Sequence, residues 1–197
     1  MALTGGPSLP AGEVNWPYSY DLTQLLSVTG DNNWSTTNVS WNLPSGSLPA
    51  GLSLGTDGVL SGVPTTKDSV GASFQVKASY KGKDGQQVYT IVVNGAVLHV
   101  TQISTGYNHT CAVTTSGGAT CWGQNVNGQL GDNSTTRRPT PVTVSGLTSG
   151  VASLIAGYYH TCAVTTSGGA KCWGNNGNGQ LGDNSTTQRL TPVGVSP

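Results

Sequence analysis

The sequence predicts an all-β chain of 197 residues: a β-sandwich followed by two four-stranded repeats that other chains complete. Three observations carry this prediction. Residues 103–144 and 154–195 are near copies offset by 51 positions, identical at 32 of 42 aligned sites. No stretch holds helical periodicity over three turns, whereas short apolar–polar alternations broken by Gly, Pro, Asn and Asp recur along the chain. Charged residues make up only 8% of the chain at formal net charge zero, leaving Ser, Thr, Asn and Gly to supply polarity.

That balance suits a neutral, turn-dense extracellular or viral appendage. It argues against a nucleic-acid partner, which needs clustered Lys and Arg to displace counterions. The one close basic pair, Arg137–Arg138, reads as a solvated loop. No apolar run is long enough to span a bilayer, so membrane insertion is not expected. The opening MALTGGPSLPAGEVNWPYSY has neither the basic nor the apolar region of a secretion signal, so either the sequence begins after one or the protein leaves its cell by another route. Composition shifts near residue 96. The expected partition is an N-terminal extension (1–13), a sandwich domain (14–96) and two repeats (97–146 and 147–197).

Within the sandwich, FQVKASY (74–80) and VYTIVVN (88–94) read as strands joined by the turn-forming KGKDGQQ. Leu52 and Leu54 share one face of a short strand, Asp57-Gly58 makes a turn, and Leu60 returns to the core. Pro49 and Pro64 suit strand starts and edges, where a missing donor costs little. The run WNLPSGSLPAGLSLGTDGVLSGVPTT (41–66) resembles the immunoglobulin-like domains of bacterial surface and phage proteins. In those domains a Trp-bearing strand is followed by LPxGLSL, a turn, GxLSGxP and two final strands. The resemblance covers about residues 14–94 and implies an immunoglobulin-like sandwich serving as spacer, docking unit or adhesion module. Trp41 reads as core, while Trp16 and Trp34 are candidates for stacking on a ligand such as a sugar.

Each repeat has the same parts. A strand (VLHVTQIS or GVASLIA) leads through Gly-Tyr to His-Thr-Cys-Ala-Val-Thr, then a Gly-Gly turn and Cys-Trp-Gly. The loop NGQLGDNSTT follows, closed by TPVTV or TPVGV. Four short strands are the content of a propeller blade. Cys111 and Cys121 lie five residues either side of Ser116, so a hairpin in that register sets them face to face. Cys162 and Cys172 repeat this about Ser167, and one disulfide per repeat is expected, Cys111–Cys121 and Cys162–Cys172. The pattern GYxHTCAVTxxGxxxCWGxNxxGQLGD resembles the regulator of chromosome condensation repeat in its cysteine-bearing bacterial form. It covers residues 97–197 and implies β-propeller blades; the founding member's exchange activity is not carried over, because fold does not supply function.

Duplication sorts the candidate residues, since a scaffold residue recurs in each repeat and a catalytic one is usually needed once. His109 and His160, with Leu130 and Leu181, read as blade-packing groups, and Trp122 and Trp173 as packed between blades. A zinc reading supplies only three ligands per repeat, and Asp132 and Asp183 give each loop a single carboxylate, so no metal and no cofactor are expected. Neither half offers a nucleophile–base set or a phosphate loop, so no enzyme is expected.

Two blades leave open edges, and closed propellers hold about four to eight. Three chains of two blades each would close a ring of six by cyclic symmetry, and four chains a ring of eight, the trimer being the expectation. The expected partners are therefore further copies in a homotrimer, with other virion structural proteins and a host-surface glycan or protein besides. The end at TPVGVSP is expected to be a natural terminus, the competing expectation being a fragment of a longer array. The functional expectation is a structural protein on a virion surface, as a bacteriophage capsid decoration, neck or tail-fibre appendage. The alternative is an adhesin or lectin-like module of a bacterial cell-surface protein.

Overall fold

The computed structural model describes residues 1–31 and 33–197. They form two compact units, Met1–Val97 and Leu98–Pro197.

The first unit is built from β1 (Ala2–Leu3), β2 (Gly12–Glu13), β3 (Tyr18–Asp21), β4 (Leu26–Ser27) and β5 (Ser40–Gly46). It continues with β6 (Leu52–Leu54), β7 (Val59–Gly62), β8 (Asp68–Tyr80) and β9 (Lys83–Asn94). One sheet has the order β2-β9-β8-β5, a second β3-β7-β6, and β1 pairs with β4. Alternation along β8 and β9 turns Phe74, Val76, Ala78 and Tyr80, with Tyr89, Ile91 and Val93, inward. They join Tyr18, Leu22 and Leu60 in one core, so the two sheets face each other as a sandwich.

Three details depart from the sequence reading. The expected extension 1–13 is part of the domain: Leu3 and Leu9 are buried in its core. Within that stretch β2 runs parallel to β9, Gly12 opposite Val93, with a further parallel bridge between Ser8 and Thr90. Short, Gly- and Pro-rich strands such as these carry no alternation to read. The expected seven-residue connection 81–87 shrinks to Lys81-Gly82, both at positive φ, and β9 resumes at Lys83. Two successive left-handed residues match the twist of a tight hairpin. Finally, Trp34 packs partly buried against the core, as Trp41 does, while Trp16 is the more exposed ring.

Gly58 fixes the Asp57-Gly58 turn. Its φ is +83°, and a Cβ there would lie 2.6 Å from the ring of Trp41. Asp57 supports the same turn by accepting from the Val59 N–H at 3.0 Å.

The second unit is two antiparallel meanders. The first blade is β10 (Val100–Thr105), β11 (His109–Thr114), β12 (Ala119–Gly123) and β13 (Arg138–Thr143), paired in that order. The second is β14 (Val151–Ala156), β15 (His160–Thr165), β16 (Ala170–Gly174) and β17 (Arg189–Gly194). Cys111 stands opposite Cys121, and Cys162 opposite Cys172. Both pairs are bonded, with Cα atoms 4.0 and 4.1 Å apart. The Thr114 hydroxyl accepts from the Gly118 N–H and so closes the hairpin turn, and Thr165 does the same for Gly169.

Gly58→Ala is expected to destabilise the first unit by about 2–4 kcal/mol, from left-handed strain plus overpacking. Denaturant unfolding followed by tryptophan fluorescence checks this; a loss below about 0.5 kcal/mol would mean that Trp41 yields freely.

Candidate functional site

The long loop of each blade is tied by an asparagine. Asn125 Nδ2 donates to Asp132 Oδ1 at 2.9 Å and to the Ser134 carbonyl at 3.0 Å, while its Oδ1 accepts from the Leu130 N–H at 2.9 Å. Arg138 Nε donates to Asp132 Oδ2 at 2.8 Å. Asn176, Asp183, Ser185, Leu181 and Arg189 repeat the arrangement. Arg138 thus ties the loop while its side chain stays 40% exposed. Burial pushes the Asp132 carboxyl up, but Ser134, Arg138 and Asn125 together hold it below the usual carboxylate range. The Ser185 hydroxyl, against burial, and then Arg189 and Asn176 bring Asp183 down to about 2. Both aspartates spend their oxygens on protein donors. Leu130 and Leu181 anchor the loops in fully buried positions. Among the described residues no three of His, Cys, Asp and Glu converge as a metal site would require.

A polar relay spans the joint between the blades. His109 Nε2 lies 2.9 Å from Thr161 Oγ1. The Thr161 hydroxyl donates to the Gln129 carbonyl at 2.9 Å, and Trp173 Nε1 donates to that same oxygen at 2.9 Å. Trp173 is fully buried here. Gly131 makes room for it: φ is +69°, and a Cβ would sit 2.7 Å from Trp173 Nε1. Around this relay Cys111, Val113, Ala119 and Cys121 of the first blade pack with Val151, Leu154, Ala163 and Trp173 of the second. The Gln102 side chain adds a clasp: its Nε2 donates to the Leu154 carbonyl and its Oε1 accepts from the Leu154 N–H, both at 2.9 Å. Ser104 Oγ accepts from the Ala156 N–H at 3.0 Å.

The repeated residues expected to be equivalent therefore occupy different surroundings. Trp173 lies between blades, but Trp122, its counterpart, is partly exposed because no blade precedes it. His109 is buried and His160 half-exposed for the mirrored reason. Burial first, then the neighbouring His160, lowers the His109 imidazole to about 4, and burial also lowers His160.

Sequence reasoning missed an aromatic cluster. Tyr107 and Tyr158, 51 positions apart, stack with centroids 4.1 Å apart, and Tyr159 meets Tyr158 edge-on at 4.3 Å. Tyr107 and Tyr158 remain more than half exposed. Hydrogen bonding to Tyr107 and then Tyr159 pushes the Tyr158 phenol up to about 12. The signal was present as Gly-Tyr at the same place in both repeats.

Residues 100–129 and 151–180 match the regulator of chromosome condensation (RCC1) repeat, and a further form of that repeat matches residues 116–164. Residues 2–94 match the family described as "Putative Ig domain". The chain thus joins an immunoglobulin-like domain to RCC1 repeats. It is 38% identical over 92 residues to the human probable E3 ubiquitin-protein ligase HERC4, covering 46% of this chain and 9% of that protein. To the ultraviolet-B receptor UVR8 of Arabidopsis thaliana it is 36% identical over 100 residues, 50% of this chain and 23% of the receptor. The chain accordingly spans under a quarter of either relative. Among solved structures, Prp20p of Saccharomyces cerevisiae aligns over 64% of this chain and 36% of its own, at 14% identity and TM-score 0.46.

Two outcomes are expected. As pH falls from 6.5 toward 4, the unfolded chain takes up a proton on His109 that the folded joint refuses, so stability drops across that window. Thermal melts of the protein between pH 7 and 4 check this, and a flat melting temperature would contradict it. In dilute protein, Cys162–Cys172 is expected to reduce before Cys111–Cys121, because both sulfurs of the latter are sealed in the joint whereas Cys162 is only half-buried. Limited reduction, alkylation and peptide mapping decide the order; equal rates would go against it.

Proposed function

We propose that this chain is a non-enzymatic structural and docking protein whose blades are completed by further copies of itself. One observation carries the reading: the two blades mate through one joint and leave both outer blade faces uncovered, with Ile103 and Val100 exposed on one and Ile155 and Val164 on the other. Exposed apolar blade faces invite association. Three chains would supply six blades and close by cyclic symmetry, in the middle of the usual range of about four to eight. The immunoglobulin-like domains would then be presented in several copies, so that weak contacts sum to avidity.

The proposed setting is the surface of a virus particle, as a bacteriophage decoration, neck or tail appendage docked on other virion proteins. Bonded cysteines, low charge and the pairing of these two module types support an oxidising, extracellular place of work. A second reading, an adhesin or lectin-like module of a bacterial cell surface, is favoured by the exposed Tyr107–Tyr158–Tyr159 cluster together with Trp16.

Native mass spectrometry of the full chain is expected to give a trimer, with about 4 mass units lost per chain as its two disulfides form. A monomer at about ten micromolar, far above the dissociation constants of stable assemblies, would overturn the reading. A glycan array separates the alternatives: selective binding that Tyr158→Ala removes would favour the adhesin.

A further inference from the structure

The blade joint inside the chain exists a second time, divided between the two open ends. Shifting the mated residues by 51 positions converts each half of the joint into the opposite open face. The trailing face of the first blade, His109, Val113, Ala119 and the Gln129 carbonyl, becomes His160, Val164, Ala170 and the Gln180 carbonyl on the second. The leading face of the second, Val151, Leu154, Thr161 and Trp173, becomes Val100, Ile103, Thr110 and Trp122 on the first. Every group of the polar relay recurs with its residue type unchanged. Among the described residues, the His160 ring, the Thr110 hydroxyl and Trp122 Nε1 have no hydrogen-bond partner, although their counterparts are all engaged. Burial differs as a missing neighbour requires: Val113 is 2% exposed and Val164 42%, Leu154 1% and Ile103 59%.

We propose that the trailing face of one copy receives the leading face of the next, so that His160 meets Thr110, and Trp122 donates to the Gln180 carbonyl, across the boundary. This rests on the self-association proposed above and specifies where it occurs. Both faces of the second joint belong to one sequence, and they complement each other as their counterparts already do inside the chain. A second copy therefore supplies every group that the first lacks. The contact is head-to-tail, a heterologous interface that closes into a ring when the rotation between copies permits.

The joint between copies is not identical to the one within. Gln102 and Ser104, which clasp the Leu154 and Ala156 backbone, are replaced in the second blade by Ser153 and Ile155. Ser153 is too short to reach the backbone of Ile103 in the next copy. Ile155, 69% exposed, instead adds an apolar contact to the facing Ile103 and Thr105. The joint between copies thus trades the three hydrogen bonds made by Gln102 and Ser104 for apolar surface, which leaves it weaker and makes Ile155 its discriminating residue.

The test is sedimentation velocity of the full chain over a concentration series, with two variants at exposed or half-exposed positions. Ile155→Asp is expected to weaken association at least about tenfold while the circular dichroism spectrum and melting temperature of the dilute protein stay unchanged. Ser153→Gln with Ile155→Ser restores the clasp and is expected to tighten association by about tenfold, the order of one or two net hydrogen bonds. If the chain associates but neither variant alters its affinity, the copies meet elsewhere and this joint is wrong, while self-association stands. If all three proteins remain monomeric at about ten micromolar, both the joint and the self-association fall.

Discussion

The carbonyl oxygen of Gln129 is where two separately folded meanders become one body. It is buried and must be satisfied, and its donors, Thr161 and Trp173, come from the following blade. A blade of this type cannot finish its own hydrogen bonding: it offers an acceptor on one side and holds donors on the other. The apolar contacts follow the same rule, since Val113 and Ala119 find cover only on the strands of the next repeat. The disulfide within each blade fixes the hairpin that carries the histidine, so the relay begins from a stapled platform. That dependence on a neighbour is the physical content of a repeat architecture.

Much of this was legible in the sequence. The offset of 51 residues, the equal spacing of cysteines about Ser116 and Ser167, and the alternation in 74–80 and 88–94 gave the blades, the pairing and the long hairpin. What could not be read was difference between copies. His109 and His160 stand in the same HTC triplet, yet one is sealed in a joint and the other faces outward, because environment depends on blade order and not on local sequence. The Gln102 clasp was invisible for a related reason, since its partner is backbone, which has no signature in the chain. The short β1 and β2 were overlooked because two-residue strands with Gly and Pro around them show no period, although Leu3 and Leu9 were apolar enough to suggest a core. Trp34 had no reliable signal either way, because a tryptophan beside polar residues suits a rim or a core equally.

The two halves of the chain differ in self-sufficiency. The immunoglobulin-like unit buries residues of both sheets against each other, whereas the repeats expose on each outer side the counterparts of what they bury between them. Relatives such as HERC4 and UVR8 match this chain over less than a quarter of their own lengths, so the shared segment is a building block within larger proteins. A block used so widely derives its role from what surrounds it. For this chain the surroundings proposed above are other copies.

The parallel pairing of β2 with β9 has a mechanical meaning. Tension that enters before Pro7 and leaves through Val97 pulls these neighbouring strands in opposite directions along their length. The hydrogen bonds from Thr90 to Pro7, from Leu9 to Thr90 and from Val14 to Asn94 lie across that pull. They must therefore be sheared together instead of being opened one after another as in a zipper. A tether that yields this way resists sudden load far better than its modest number of bonds would suggest.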